Sequence, residues 1–217
     1  MRQRKFVFGM GTGCCGTASL AFLLNSQPSS FVGHELFPKL EWSTSENARG
    51  CFIRDKWHQL NHESHLYDLV GDVASYYLPY VRFLLHNMST NRFYQHDITM
   101  KFIILHRNKS EVIQSFLQKF QRQGNNPLQL NSAAKKDEWD HCFPKFEGIP
   151  LESALSKYYD GYYREAETLV KIDPRHVRIY ETESMNTESG VRSILDFLEI
   201  RNQNIIIGNR KNKERAK

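Results

Sequence analysis

The sequence predicts a three-layer α/β/α domain with a central, mostly parallel sheet, and three observations predict it. A β-prone run, Phe6-Val7-Phe8, enters a turn with glycines at 9, 11, 13 and 16 and passes without a break into helix-compatible sequence. The run at 101–106, KFIILH, is nearly continuous in apolar character, as suits a parallel strand covered on both sides. Strand-like and helix-like segments alternate along much of the remaining chain, the pattern of α/β folds.

The elements follow in order. Residues 5–9 read as a buried strand, and 16–25 as a helix with apolar Ala18, Leu20, Ala21, Leu23 and Leu24. Pro28, within a polar stretch, ends that helix. Phe31-Val32 reads as a short second strand, followed at once by His34 and Glu35. Residues 36–70 are polar, aromatic and poorly periodic, so irregular structure with short helices is expected there. Asp72 is placed to cap a helix running to Met88, with Pro79 predicting a kink or break inside it. The strand at 101–106 ends at Arg107, and a helix is expected from Lys109 or Ser110. Residues 122–150 hold Gly124, Pro127, Pro144 and Pro150 and read as a long loop or an acceptor-site lid. A helix over 151–170, a strand at 177–180 and a closing helix from Thr187 to Leu198 complete the chain, with no internal repeat.

The length of 217 residues fits a single domain over 1–217. At 40% hydrophobic residues the chain is not of disordered type. No uninterrupted apolar run is long enough to span a bilayer, and the basic N-terminus lacks the long apolar core of a secretory signal. A cytoplasmic protein without membrane insertion is expected. The net charge of +5 is concentrated toward the tail, where 210–217 reads RKNKERAK. A frayed solvated terminus and a phosphate-binding tail both account for it. No nucleic-acid-binding motif or aromatic-basic repeat accompanies the charge, so a nucleic-acid partner is not expected. The four cysteines, Cys14, Cys15, Cys51 and Cys142, have neither zinc-site spacing nor a disulfide framework. Cys15 reads as a small buried residue. Cys14 reads as a thiol that a helix N-terminus would make reactive, although no dedicated base stands near it in sequence.

A strand, a glycine-rich turn and a helix together make an anion site, because backbone N–H groups and the helix N-terminus present positive potential. Gly11 and Gly16 have the spacing of the nucleotide-triphosphate P-loop, but Thr17 stands where that motif has lysine. Ligands of open α/β sheets bind beyond the carboxyl ends of the strands. That geometry can gather the 9–17 loop, His34-Glu35 and Arg107–Ser115. Arg107 offers a rigid fork of donors to phosphate oxygens, and Ser115 one further donor. Read singly, Arg107 is also accounted for as a surface arginine, and Ser115 reads more simply as an ordinary helix serine. Glu35 is the candidate general base, with His34 the second candidate; neighbours on an extended strand face opposite ways, so one of the two points inward.

In this combination the chain resembles the sulfotransferases that use 3′-phosphoadenosine-5′-phosphosulfate. Their first signature, a strand and a loop like G-x-x-[RK]-[ST]-G-T-[ST] before a helix, stands here as Gly11-Thr12-Gly13-Cys14-Cys15-Gly16-Thr17-Ala18. Their second, a strand ending in arginine with a serine eight residues on, stands here as Arg107 and Ser115 in KFIILHRNKSEVIQSF. The helix ending SILDFLEI is similar to the family's late helix. The resemblance implies a P-loop-like nucleotide-binding architecture and transfer of a sulfuryl group to a hydroxyl or amine of a small-molecule or glycan acceptor. It implies 3′,5′-adenosine bisphosphate as product and no metal. Gly16 and Thr17 would meet the donor's 5′-phosphate, Arg107 and Ser115 its 3′-phosphate. Arg210 and Lys211, in IIIGNRKNK, match the family's late basic loop over that phosphate.

Three features depart from the pattern. Cys14 stands where the family has a basic residue on the 5′-phosphate, and a neutral thiol cannot supply that charge. Either turnover is reduced, another basic residue substitutes, or the chain binds nucleotide without turning over. Arg49, Arg54, Lys56, Arg210 and Lys211 are the candidates for substitution. Asn108-Lys109 replaces Asp-Pro, and Glu199 replaces a glycine after Phe197-Leu198. Two further readings stay open: a P-loop kinase of a small molecule or nucleotide, and an inactive nucleotide-binding or interaction protein. Tyr67, Tyr76, Tyr77, Tyr80, Trp57, Trp139 and the Tyr158–Tyr163 cluster either line an acceptor pocket or pack as core. The sequence leaves acceptor identity and oligomeric state open.

Overall fold

Five short segments pair side by side, and the three inner ones are buried along most of their length, so the sheet needs cover on both faces. The five are β1 (Arg4–Met10), β2 (Ser30–His34), β3 (Leu69–Val73), β4 (Ile98–His106) and β5 (Val177–Glu181). The structure is a computed structural model and describes residues 4–43, 45–89, 98–123, 128 and 139–208. The sheet order is β2-β3-β1-β4-β5 and every pairing is parallel. The step from β1 to β2 runs one way across the sheet and all later steps run the other way. Right-handed crossovers therefore place the connecting helices on opposite faces. The result is the expected three-layer α/β/α architecture.

One face is covered by α1 (Thr17–Asn25) and α7 (Glu188–Phe197). Gln27, just past α1, exchanges two hydrogen bonds of 2.9 Å with the backbone of Asn204, beyond α7. The other face is aromatic. Phe6 packs on Trp57 at 4.7 Å between ring centroids, and Phe8 lies between Tyr77 and Phe102. Phe102 belongs to β4 itself, whereas Trp57 comes from a continuous helical stretch after β2: α2 (Glu46–Cys51), a π-helical segment (Phe52–Trp57) and α3 (His58–Glu63). The 3₁₀ segment Ser75–Tyr80 and α4 (Val81–Ser89) follow β3. Helices α5 (Lys109–Gln123) and α6 (Leu151–Ile172) join β4 to β5.

The structure corrects one element. Asp72 does not cap a helix; it lies inside β3, paired in register with Phe8 and Gly33, and is fully buried. The helix starts later: Pro79 falls in the 3₁₀ segment and α4 begins at Val81. Thus the break expected at Pro79 is present, but the segment before it is a 3₁₀ turn that follows strand. The short helices expected in 36–70 are there, and only Leu69 and Val70 leave that region for β3. The 122–150 span lies in part outside the described residues. Within it, Phe143 is buried against Phe116 and Tyr158, and the Trp42 N–H donates to the His141 carbonyl at 2.7 Å.

Tyr158, Tyr159, Tyr162 and Tyr163 are buried along α6, and Tyr76, Tyr77 and Tyr80 are buried in the 3₁₀ segment. Several spend their hydroxyls on backbone carbonyls: Tyr163 on Leu105, Tyr162 on Ser75, Tyr80 on Glu41. Of the two readings of these aromatics, packing is the one their burial describes.

Candidate functional site

The carboxyl ends of β1, β2, β4 and β5 meet at the glycine-rich loop, 11–16. Gly13 and Gly16 adopt φ of 91° and 87°, and Cys14 adopts φ of 54°. A side chain at Gly16 would put a Cβ 2.9 Å from Thr182 Cγ2, and one at Gly13 would put a Cβ 2.8 Å from Phe116 Cζ. Both positions therefore need glycine for their conformation and for close approach. Neighbouring elements hold the loop by its carbonyls. Tyr158 Oη donates to the Thr12 carbonyl at 3.0 Å, Arg107 to the Cys14 carbonyl at 3.0 Å, and Thr182 Oγ1 to the Cys15 carbonyl at 2.7 Å. Peptide planarity sets the N–H of the next residue opposite to each carbonyl. Anchoring the Cys15 carbonyl on Thr182 thus turns the Gly16 N–H away from Thr182. No side chain caps α1 and its first turn holds no acidic residue, so its N-terminus keeps its positive potential.

The cysteines differ in role. Cys15 is fully buried, and burial pushes its thiol up to about 12 although backbone N–H groups of Gly13 and Cys15 lean on its sulfur. It is the small buried residue expected. Burial also pushes the Cys14 thiol above its ordinary value; Lys119 and Arg107 pull it down and Glu35 pushes it up, all by smaller amounts. The reactive-thiol reading of Cys14 called for a lowered value, and burial moves the thiol the other way.

Arg107 stands just past β4. Its Nη1 reaches the Cys14 carbonyl, and its Nε and Nη2 each lie 2.8 Å from Glu111 Oε2. Two of its five N–H groups remain for a ligand. The Arg107 carbonyl accepts from Tyr159 Oη at 2.6 Å, and His106 lies between Tyr159 Oη at 2.9 Å and the Glu181 carboxylate at 2.8 Å. Ser115 is half-buried, one residue before the Phe116 that covers Gly13. Thr12 is buried, with its hydroxyl on the Gly13 carbonyl. Gly11, Thr17 and Ala18 complete the loop and helix start. Arg210 and Lys211 lie outside the described residues.

His34 ends β2. Its Nε2 lies 3.1 Å from Thr17 Oγ1 and its Nδ1 3.8 Å from Glu35 Oε2. Glu35 has φ of 58°, and its N–H donates to the Val73 carbonyl at 3.1 Å. The chain turns sharply here, so the strand rule of alternate faces does not apply to this pair. His34 reaches the start of α1 through Thr17, and Glu35 stands beside His34.

Several contributors were not visible in sequence. Lys56 Nζ and Asp72 form a fully buried pair at 3.2 Å. Asp72 also accepts from the Leu36 and Val73 N–H groups and from Tyr77 Oη, while Lys56 donates to the Leu36 carbonyl. This pair fixes the residue that follows Glu35. Thr182 and Tyr158 carry no motif signal. Among the described residues no group of three or more His, Cys, Asp or Glu could hold a metal ion, and no helix is long and apolar enough to cross a membrane. A broad depression of about 1000 Å³, lined in part by Thr99, Lys101, Arg175 and Arg178, lies by the amino ends of β4 and β5, away from the loop.

No family model matches the chain and no curated protein matches it in sequence. Among solved structures, the sulfotransferase from Alicyclobacillus acidocaldarius superposes with a TM-score of 0.57 at 16% identity, over 98% of this chain and 86% of that one. The shikimate kinase from Bacteroides thetaiotaomicron gives a TM-score of 0.38 at 10% identity, over 91% of this chain and 99% of that one. The second likeness is too loose to carry argument. The first is a likeness of fold: the chain has the three-layer architecture of a solved sulfotransferase, with its own glycine-rich loop and Arg107 at the carboxyl edge of the sheet.

Proposed function

We propose that the protein is a sulfotransferase that moves a sulfuryl group from 3′-phosphoadenosine-5′-phosphosulfate to a hydroxyl or amine. The observation that carries this reading is the contact of Arg107 with the Cys14 carbonyl, which joins the end of β4 to the loop before an uncapped helix. One edge of the sheet thus offers two separate anion-binding elements. A donor with phosphates at both 5′ and 3′ positions needs two; an ordinary nucleoside triphosphate needs one. The fold likeness to a sulfotransferase agrees with this reading.

The residues divide the work by position. The Gly16 and Thr17 N–H groups and the Thr17 hydroxyl meet the 5′-phosphate, where charge gathers as the bridging oxygen leaves. With a proton on His34 Nε2, that nitrogen donates to Thr17 Oγ1 and leaves the threonine proton for the phosphate. Arg107 and Ser115 hold the 3′-phosphate. Glu111 shares Arg107 with that phosphate, and as an exposed partner it yields at little cost. Glu35 takes the proton of the acceptor as its oxygen or nitrogen attacks sulfur, and the bond from sulfur to the 5′-phosphate oxygen breaks. The products are the sulfated acceptor and 3′,5′-adenosine bisphosphate.

Replacing Arg107 with alanine tests the assignment. Affinity for 3′,5′-adenosine bisphosphate should fall about 10- to 100-fold, the worth of a charged hydrogen-bond pair, while 5′-AMP affinity changes little. Equal losses for both nucleotides, or no loss, would remove Arg107 from the 3′ site.

A further inference from the structure

His106, the last residue of β4, is held at both ring nitrogens. Nδ1 lies 3.0 and 2.8 Å from the two Glu181 carboxylate oxygens, and Nε2 lies 2.9 Å from Tyr159 Oη. Tyr159 Oη lies in turn 2.6 Å from the Arg107 carbonyl. The number of protons decides the form of the ring. A carboxylate and a carbonyl only accept, and a phenol has one proton to give. With a single ring proton on Nε2, the Nδ1 lone pair would face a carboxylate oxygen at 2.8 Å. With a single ring proton on Nδ1, Nε2 would need the Tyr159 proton. Oη and the Arg107 carbonyl would then stand 2.6 Å apart with no proton between them. Only a ring protonated at both nitrogens satisfies every contact: Nδ1–H donates to Glu181, Nε2–H donates to Tyr159 Oη, and Oη donates to the Arg107 carbonyl.

We infer that His106 works as an imidazolium that positions Arg107, and that its protonation tunes the hold of Arg107 on a ligand phosphate. This rests on the sulfotransferase reading, in which that phosphate is the donor's 3′-phosphate. Arg107 is tied at both ends: its carbonyl takes the Tyr159 proton, and its Nη1 holds the Cys14 carbonyl of the loop. Thr182, next to Glu181, closes the same junction, with Oγ1 2.7 Å from the Cys15 carbonyl and 3.0 Å from the His106 carbonyl. When Nε2 loses its proton, the neutral ring competes with the Arg107 carbonyl for the single Tyr159 proton. The carbonyl then loses its donor, so the hold on phosphate weakens as pH rises. The neighbouring charges are matched: Lys109 with Asp160 at 2.7 Å, Arg107 with Glu111 at 2.8 Å. That leaves Glu181, from β5, as the charge facing the ring. From α6, Tyr163 meets the ring edge-on at 4.6 Å between centroids and gives its own proton to the Leu105 carbonyl. Burial pushes Tyr159 and Cys15 up to about 12 and raises Tyr163 as well, so these three stay protonated around neutral pH.

The test joins a nucleotide titration to a readout that needs no nucleotide. Binding of 3′,5′-adenosine bisphosphate, without metal, is measured by calorimetry from about pH 5.5 to 8.5, the span in which histidine changes charge. The proteins are the wild-type chain, His106→Gln and Tyr159→Phe, each checked by thermal melting. Glutamine keeps a neutral donor for Tyr159 at every pH, and phenylalanine keeps the aromatic packing while cutting the ring off from Arg107. The ligand's own titration is common to all three and cancels in ratios of affinity. The ratio of wild type to His106→Gln should fall about 2- to 10-fold as pH rises, the contribution of one hydrogen bond. The ratio of Tyr159→Phe to His106→Gln should stay flat. A flat wild-type ratio is what a merely structural His106 gives, and an equal fall in Tyr159→Phe is what direct action on the phosphate gives; either overturns the inference. In the nucleotide-free protein, the Arg107 carbonyl carbon followed by NMR should shift together with the titration of the His106 ring in the wild-type chain and not in Tyr159→Phe. A carbonyl that ignores that titration overturns the inference whatever the nucleotide does. A carbonyl that follows it, in a chain that binds no bisphosphate at any pH, sustains the positioning of Arg107 and overturns the sulfotransferase reading.

Discussion

Replacing Lys56 with methionine removes one charge from a pair in which both side chains are wholly shielded from solvent. Methionine keeps the length and apolar stem of lysine, so packing changes little. The Asp72 carboxylate is left with three donors, the Leu36 and Val73 N–H groups and Tyr77 Oη, but with no counter-charge. The Leu36 carbonyl loses its Lys56 donor as well. Burial already works against the ammonium, whose pKa lies below its ordinary value, with Asp72 opposing that shift. Breaking a buried pair from one side costs about 3–5 kcal/mol. For a chain of this size each kcal/mol moves the melting temperature by about 2–4 °C. The expected fall is therefore about 6–20 °C, read by calorimetry or by circular dichroism. The double variant Lys56→Met, Asp72→Asn should recover part of this, because the remaining charge goes as well. A fall under about 2 °C in the single variant, or a double variant that simply adds the two single losses, would refute the argument that the pair is coupled.

Other outcomes follow from the loop. Gly16→Ala should lower the melting temperature by about 2–8 °C, from about 1–2 kcal/mol of left-handed strain and a Cβ set 2.9 Å from Thr182 Cγ2. Gly161→Ala, in α6 with open space around it, should raise it by about 1–4 °C; a fall at Gly161, or none at Gly16, would contradict the backbone reading. Iodoacetamide followed by mass spectrometry at neutral pH should mark exposed Cys51 first and spare Cys15 and Cys142 until unfolding. Cys14, raised by burial, stays a protonated thiol there and gains reactivity only as the pH climbs toward its raised value. Cys14 reacting fastest at neutral pH would contradict this.

The parts of this fold that announce themselves in sequence are those with one-dimensional signals. Glycine at 13 and 16 marks the left-handed turn, and KFIILH marks a strand covered on both faces, with Arg107 at its end. Strand β3 was hidden because Leu69–Val73 reads LVGDV, and Gly and Asp are depleted in strands. Gly71 is there because Val7 approaches too closely for a Cβ, and Asp72 because Lys56 neutralises it. Both causes lie far away in the chain. The pair His34-Glu35 was legible as residue types but not as geometry, since the left-handed backbone at Glu35 breaks the alternation of a strand.

The central claim is a nucleotide site with separate places for 5′ and 3′ phosphates. Its most direct test is calorimetric titration of the wild-type chain with 3′,5′-adenosine bisphosphate, 5′-AMP and ATP, without metal and then with magnesium. The account predicts metal-independent binding of the bisphosphate, at least about tenfold tighter than 5′-AMP, from the charged contacts that the 3′-phosphate adds. Binding of ATP alone, and only with magnesium, would contradict it and assign the loop to a kinase-like chemistry instead.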